Sequence, residues 1–241
     1  MEIQEVIIIG AGIAGCATAL ALAQRHIPVM LFTSPTDERI YHAPFIKKEE
    51  LEKKILEIQK DVRQSLSCSR AHEQLYLSAE TSINQLIGGY YSIDRKGNVD
   101  IHRSLIEQLK KLPEVRWIFN QSLLELLTLH QHSACLADVH KSPMCVGITT
   151  FNHEALKVER YLAKEVIIAT GGATSLYPYS THSKSARGEG VAIAWRAGAR
   201  LVKMDQIQFH PLGFFERDQP CVPLSVDLLK DGGQLALTKH S

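Results

Sequence analysis

Glu5-Val6-Ile7-Ile8-Ile9 runs into Gly10-Ala11-Gly12-Ile13-Ala14-Gly15, and an apolar stretch from Cys16 to about His26 follows. Four consecutive β-branched residues read as a strand buried on both faces. In the G-x-G-x-x-G turn that follows, the first glycine permits a tight bend and the second leaves no side chain between backbone and a diphosphate. The third lets the helix pack close to the strand. The helix N-terminus offers unpaired N–H groups and the positive end of its dipole to an anion. A second strand, Val29-Met30-Leu31-Phe32, arrives where a βαβ unit needs it. A purely structural glycine turn is the bland alternative. The strand-turn-helix setting favours dinucleotide binding by residues 10–15.

The rest of the chain bounds this reading. Its 241 residues suffice for one large domain or two small ones, either with a proper core. A net charge of +1 with 22% charged residues and no basic block argues against nucleic acid as a partner. Cys16, Cys68, Cys135, Cys145 and Cys221 are scattered without C-x-x-C spacing, as expected of free thiols in the cytoplasm. The histidines form no H-x-x-x-H or HExxH pattern, so no metal site is expected. No apolar run approaches membrane-spanning length.

Further along, apolar residues at Leu51, Ile55, Ile58, Val62 and Leu66 predict an amphipathic helix over 47–66. Helices are also expected over 79–87 and 101–112, with a strand over 115–119. Short apolar or alternating runs at 123–129, 134–139, 145–151 and 156–162, separated by polar turns, predict a β-meander within 120–165. Glu165-Val166-Ile167-Ile168-Ala169 then reads as another buried parallel strand, ending at Thr170-Gly171-Gly172. Gly188-Glu189-Gly190 opens a helix over 191–197, which Gly198 ends in the usual C′ position.

This layout resembles that of flavoproteins of the succinate dehydrogenase/fumarate reductase and L-aspartate oxidase family. The blocks that carry the resemblance are Ala169-Thr170-Gly171-Gly172-Ala173, Gly188-Glu189-Gly190-Val191-Ala192-Ile193-Ala194, Arg196-Ala197-Gly198-Ala199 and Asp205-Gln206-Ile207-Gln208-Phe209-His210-Pro211. They cover roughly 1–34 and 155–215 well and the middle loosely. The resemblance implies an α/β fold: a Rossmann-like FAD-binding domain, a parallel sheet with helices, with an inserted β-meander. Within the family, the hydroxyl pair Thr33-Ser34 in place of the usual ribose-binding acid leans toward the L-aspartate oxidase branch. The fumarate reductases and succinate dehydrogenases remain the alternative.

By the same resemblance FAD is the cofactor, held by Gly10, Ala11, Gly12, Ile13, Ala14, Gly15, Thr33, Ser34, Thr170, Gly171 and Glu189. His210 is the candidate catalytic residue, orienting a small dicarboxylate substrate, L-aspartate or fumarate/succinate. Glu189 could also be a plain helix N-terminal acid, and His210 a core histidine before a proline bend. The other histidines match nothing in the family and are expected at the surface.

Several positions depart from the family pattern. Tyr41-His42-Ala43-Pro44-Phe45 stands where a small-residue loop closes over the flavin, and Asp94-Arg95-Lys96-Gly97-Asn98 where a substrate-side loop is expected. Val226-Asp227 and Lys230-Asp231-Gly232-Gly233 replace a Thr-Glu and an Arg-Gly-Glu-Gly. The family's capping domain and catalytic arginine are expected beyond Ser241. The expectation is therefore the N-terminal portion of such an oxidase, with a partner polypeptide supplying the missing half or with catalysis lost.

Overall fold

The computed structural model describes residues 2–35, 46–47, 98–99, 101–142, 144–181, 186–205, 207, 209, 212–215, 221–224, 232 and 234. The helix expected over 47–66 lies outside them except for Lys47, which is in a strand, and the helix expected over 79–87 lies wholly outside. So do His42, the rest of the 41–45 segment, and His210. Two compact units divide the chain, Met1–Thr170 and Gly171–Ser241.

In the first unit, β1 (Ile3–Ile9) leads through the glycine turn to α1 (Ile13–Ala23) and β2 (Val29–Phe32). Two-residue strands β3 (Ile46–Lys47) and β4 (Asn98–Val99) pair antiparallel. Next come α2 (Ile101–Leu109), β5 (Val115–Ile118), β6 (Gln121–Thr128), a single-turn α3 (Leu129–His132), β7 (Cys145–Asn152) and β8 (Lys157–Ile168). The main sheet runs β5-β2-β1-β8-β7-β6. Its β5, β2, β1 and β8 members are mutually parallel, and β7 is antiparallel to both β8 and β6.

The parallel part forms because its strands are apolar on both faces. Val6 and Ile8 of β1, with Val29 and Leu31 of β2, pack against Ala19, Leu20 and Ala23 of α1 and Leu105 and Leu109 of α2. Ile7, Ile9, Met30 and Phe32 point the other way and are equally buried. There Phe32 meets Tyr161 edge-on, with ring centroids 5.0 Å apart.

The meander differs from expectation in two ways. Residues 134–139 form no strand: Leu136–His140 is a 3-10 turn. Asp138 accepts hydrogen bonds from the Ser133 hydroxyl and Lys141, closing the turn, while Leu136 and Val139 stay exposed. The runs at 156–162 and 165–169 are also not separate. They are one strand, β8, whose first half pairs with β7 and whose second half pairs with β1.

In the second unit, α4 (Glu189–Arg196) ends as expected. Gly198 has φ +93°, its N–H bonds the Trp195 carbonyl, and Ala199 N–H bonds that of Ala194. This is the reciprocal pattern that closes a helix through a left-handed C′ residue. Short strands β9 (Gly213–Phe214) and β10 (Val222–Pro223) pair antiparallel.

Candidate functional site

Chain order and strand order together locate a topological switch point. From β1 the chain moves outward to β2 and β5 on one side, then returns to β8 on the other side of β1. Ligands of open α/β sheets bind outside the carboxyl ends of the strands where such a reversal occurs. At that edge lie the glycine turn after β1, Thr33 and Ser34 after β2, and Ala169 and Thr170 after β8.

The turn is built by close approach. Gly10 has φ +101°, its N–H bonds the Phe32 carbonyl at 3.0 Å, and a Cβ there would run into the Ala169 carbonyl. A Cβ on Gly15 would occupy the space of the Gly10 carbonyl. Gly12 is the opposite case, because a Cβ there would meet nothing within 4 Å. No side chain caps α1, and Gly12, Ile13 and Ala14 are exposed in succession. Backbone donors of the first helical turn have no intrahelical acceptors, so an open row of N–H groups faces solvent with the helix dipole behind it. Such a cradle fits a diphosphate.

The hydroxyl pair after β2 is unequal. Thr33 is only 8% exposed; its N–H bonds the Ile118 carbonyl at 2.9 Å and its carbonyl accepts from Gln121 N–H at 3.0 Å. Thr33 thus ties β2 to β5 and β6, and the half-buried Ser34 is the more accessible hydroxyl. Thr170 stands beside Gly10.

In the second unit, the Gly171 turn is stitched to the start of α4. Gly188 N–H bonds the Gly172 carbonyl at 3.0 Å, and both the N–H and the hydroxyl of Ser175 bond the Ala186 carbonyl. Gly171 has φ +78°, and Glu189 is the exposed first residue of α4. Its carboxylate complements the helix dipole, worth about 0.3–1 kcal/mol.

One residue of the loop's surroundings runs against expectation. His102 is not at the surface; it is 7% exposed, and its Nε2 lies 2.7 Å from the Ala11 carbonyl oxygen. Its spacing to Leu105 and Leu109 puts it on the buried stripe of α2, and that periodicity was the signal that could have found it. Among the described residues no three or more His, Cys, Asp or Glu are arranged to hold a metal ion.

Residues 94–239 match the family model described as FAD binding domain. The chain belongs to that family. A second family model, Glucose inhibited division protein A, matches residues 5–75 of the chain. FAD is accordingly the cofactor, and the cradle at Gly10–Ala14 has the form its diphosphate requires. Among curated relatives, L-aspartate oxidase of Yersinia pestis is 46% identical over 70 residues, 29% of this chain and 13% of the relative. L-aspartate oxidase 2 of Ralstonia nicotianae is 31% identical over 160 residues, 64% of this chain and 26% of the relative. The chain thus spans about a quarter or less of these relatives' length. Quinol fumarate reductase of E. coli superposes with a TM-score of 0.71 at 18% identity, covering 96% of this chain and 43% of that one. A flavocytochrome c3 fumarate reductase does so with a TM-score of 0.64 at 19% identity, covering 93% and 45%. These likenesses establish the flavoprotein fold of the domain. None of its helices among the described residues is long and apolar enough to cross a membrane.

Proposed function

We propose that this chain is the flavin-holding part of an oxidoreductase that oxidises L-aspartate to iminoaspartate, in the cytoplasm, on the route to quinolinate and NAD. The observation that carries the reading is the open N-terminus of α1 at the point where the strand order reverses. Curated relatives of the chain that support it bear the name L-aspartate oxidase.

In this reading the N–H groups of Gly12, Ile13 and Ala14 hold the diphosphate, and each favourable dipole contact adds about 0.3–1 kcal/mol. Ser34 meets a ribose hydroxyl more weakly than an ionised acceptor would. Thr170 and Gly171 border the flavin side, and Glu189 accepts from a cofactor hydroxyl. His210 donates a hydrogen bond to one substrate carboxylate, which fixes the carbon to be oxidised. FAD, when bound, supplies the two-electron acceptor.

The test is direct. Purified protein should carry or take up yellow flavin, and anaerobic L-aspartate should bleach it while succinate does not. Bleaching by succinate instead would move the protein to the fumarate reductase and succinate dehydrogenase branch. A colourless protein that ignores added FAD would end the reading. A second reading, a flavin- or partner-binding module without turnover, is supported by Val226 and Lys230 standing where the family carries threonine and arginine. Flavin bound but bleached by neither substrate would mark that state, as would activity restored only by a separate polypeptide.

A further inference from the structure

We infer that His102 is a positioning residue for the diphosphate loop, aiming the Gly12 N–H outward by holding the Ala11 carbonyl in the core. The inference rests on the reading that the diphosphate lies at the N-terminus of α1.

A carbonyl oxygen only accepts, so the proton in the 2.7 Å contact belongs to His102 Nε2. Cys16 Sγ donates to the same oxygen at 3.2 Å, but a thiol is a weak donor. The imidazole is therefore the main tether. Ala11 itself is buried, whereas Gly12 is exposed. The peptide between them is trans, and in a planar trans peptide C=O and N–H point in opposite directions. Fixing the Ala11 oxygen inward fixes the Gly12 hydrogen outward, toward the open space at the helix start.

The ring has no other polar use among the described residues. Its Nδ1 is buried and without a hydrogen-bond partner. A leucine in this stripe, beside Leu105 and Leu109, would avoid that unsatisfied nitrogen. What the imidazole supplies and a leucine cannot is the bond to the loop. That bond joins a helix from the middle of the chain to a turn near its start, so loop shape is set by a residue that never touches the ligand.

The experiment compares His102→Leu, His102→Asn and His102→Gln in the full chain, with Leu109→Ala as a core control. A glutamine amide reaches close to the Nε2 position, and asparagine falls short. Amide hydrogen exchange without flavin is read at Gly10 and Cys16, whose N–H groups bond the Phe32 carbonyl at the loop's start and the Gly12 carbonyl in the first turn of α1. FAD affinity is read by flavin fluorescence. Leucine and asparagine should raise exchange at both amides and weaken FAD by about ten-fold, as expected for losing one hydrogen bond. Glutamine should stay within about three-fold of wild type on both readouts. Leu109→Ala should lower the melting temperature without selectively raising exchange at these amides or weakening FAD.

Wild-type exchange at Gly10 and Cys16 in the leucine and asparagine variants would overturn the inference, as would failure of glutamine to restore it. If the leucine variant does not fold, the glutamine–asparagine pair carries the same contrast. Failure of the wild-type chain to bind FAD would overturn the diphosphate reading instead, while exchange would still decide whether His102 orders the loop.

Discussion

In the parallel half of the sheet, Val6–Ile9 and Val29–Phe32 are buried on both faces and carry no polar side chain. In the meander half, a single carboxylate gathers the side chains. Glu159 accepts from Tyr161 at 2.7 Å, Gln121 at 2.9 Å and Asn152 at 3.3 Å, and pairs with Lys157 at 2.9 Å. Hydrogen bonds from Lys157, Gln121 and Tyr161 hold its carboxyl down at about 2, while burial and the adjacent Glu159 push the Tyr161 phenol up to about 12. One half is held by removing apolar surface from water, which is indifferent to pH. The other depends on a charge that must stay ionised. The strands β1 and β2 should therefore outlast the meander as acid is added.

The contrast can be broken at its strongest point by Ile8→Ala. A fully buried isoleucine truncated to alanine should cost about 2–5 kcal/mol, equally at pH 5 and pH 8, by urea denaturation. A pH-dependent loss would mean that the apolar half also leans on a titrating group. Gly15→Ala comes next, since its methyl would take the place of the Gly10 carbonyl. Such overpacking costs about 1–3 kcal/mol, read as a lowered urea midpoint. Gly12→Val sharpens the comparison within the loop itself. Its φ of −69° suits any residue and the space is open, so stability should stay within about 0.5 kcal/mol while FAD uptake is lost. Retained flavin would show that the cofactor sits elsewhere.

Glu159→Gln tests the other half. A carboxyl depressed in the folded state adds stability above its unfolded value, near 4.5, and that stability is lost as pH falls toward about 2. Wild type should therefore lose stability through this window more steeply than the variant, by thermal melts at stepped pH. At neutral pH the variant should melt about 2–4 °C lower, the equivalent of about 1 kcal/mol in a domain of this size. Lys164→Ala should do least. It removes an exposed pair with Glu5, worth about 0–1 kcal/mol, and any larger change would show that the β1–β8 junction leans on this pair.

How legible each half was follows from the same physics. Strands buried on both faces read as unbroken apolar runs, so β1, β2 and the end of β8 stand out, and the glycine spacing identifies the turn between β1 and α1. The meander is half exposed, and its alternation is broken by charged residues that serve the fold. Lys164 looks like a turn residue, yet it points outward from a continuous strand while its neighbour Ala163 points inward. Residues 134–139 are a short apolar run as a strand would be, but Asp138 closes them into a turn through bonds no periodicity reveals. At the site, the roles of Gly10 and Gly15 could be read from spacing alone. That the Thr33 backbone bonds β2 to β5 and β6, and that His102 reaches Ala11, depend on contacts between residues far apart in the chain.

The continuity of β8 has a consequence for how the protein is made. β1 emerges from the ribosome ahead of its two neighbours, and its apolar edge finds one of them early, when β2 follows. The other edge must wait for Ile167 and Ile168, and the floor beneath Gly10 waits with it. Contacts so distant along the chain form slowly and leave strand edges open to wrong pairing meanwhile. The nascent chain therefore carries an unfinished glycine loop until Ala169 has been added, and chaperone dependence should centre on β1.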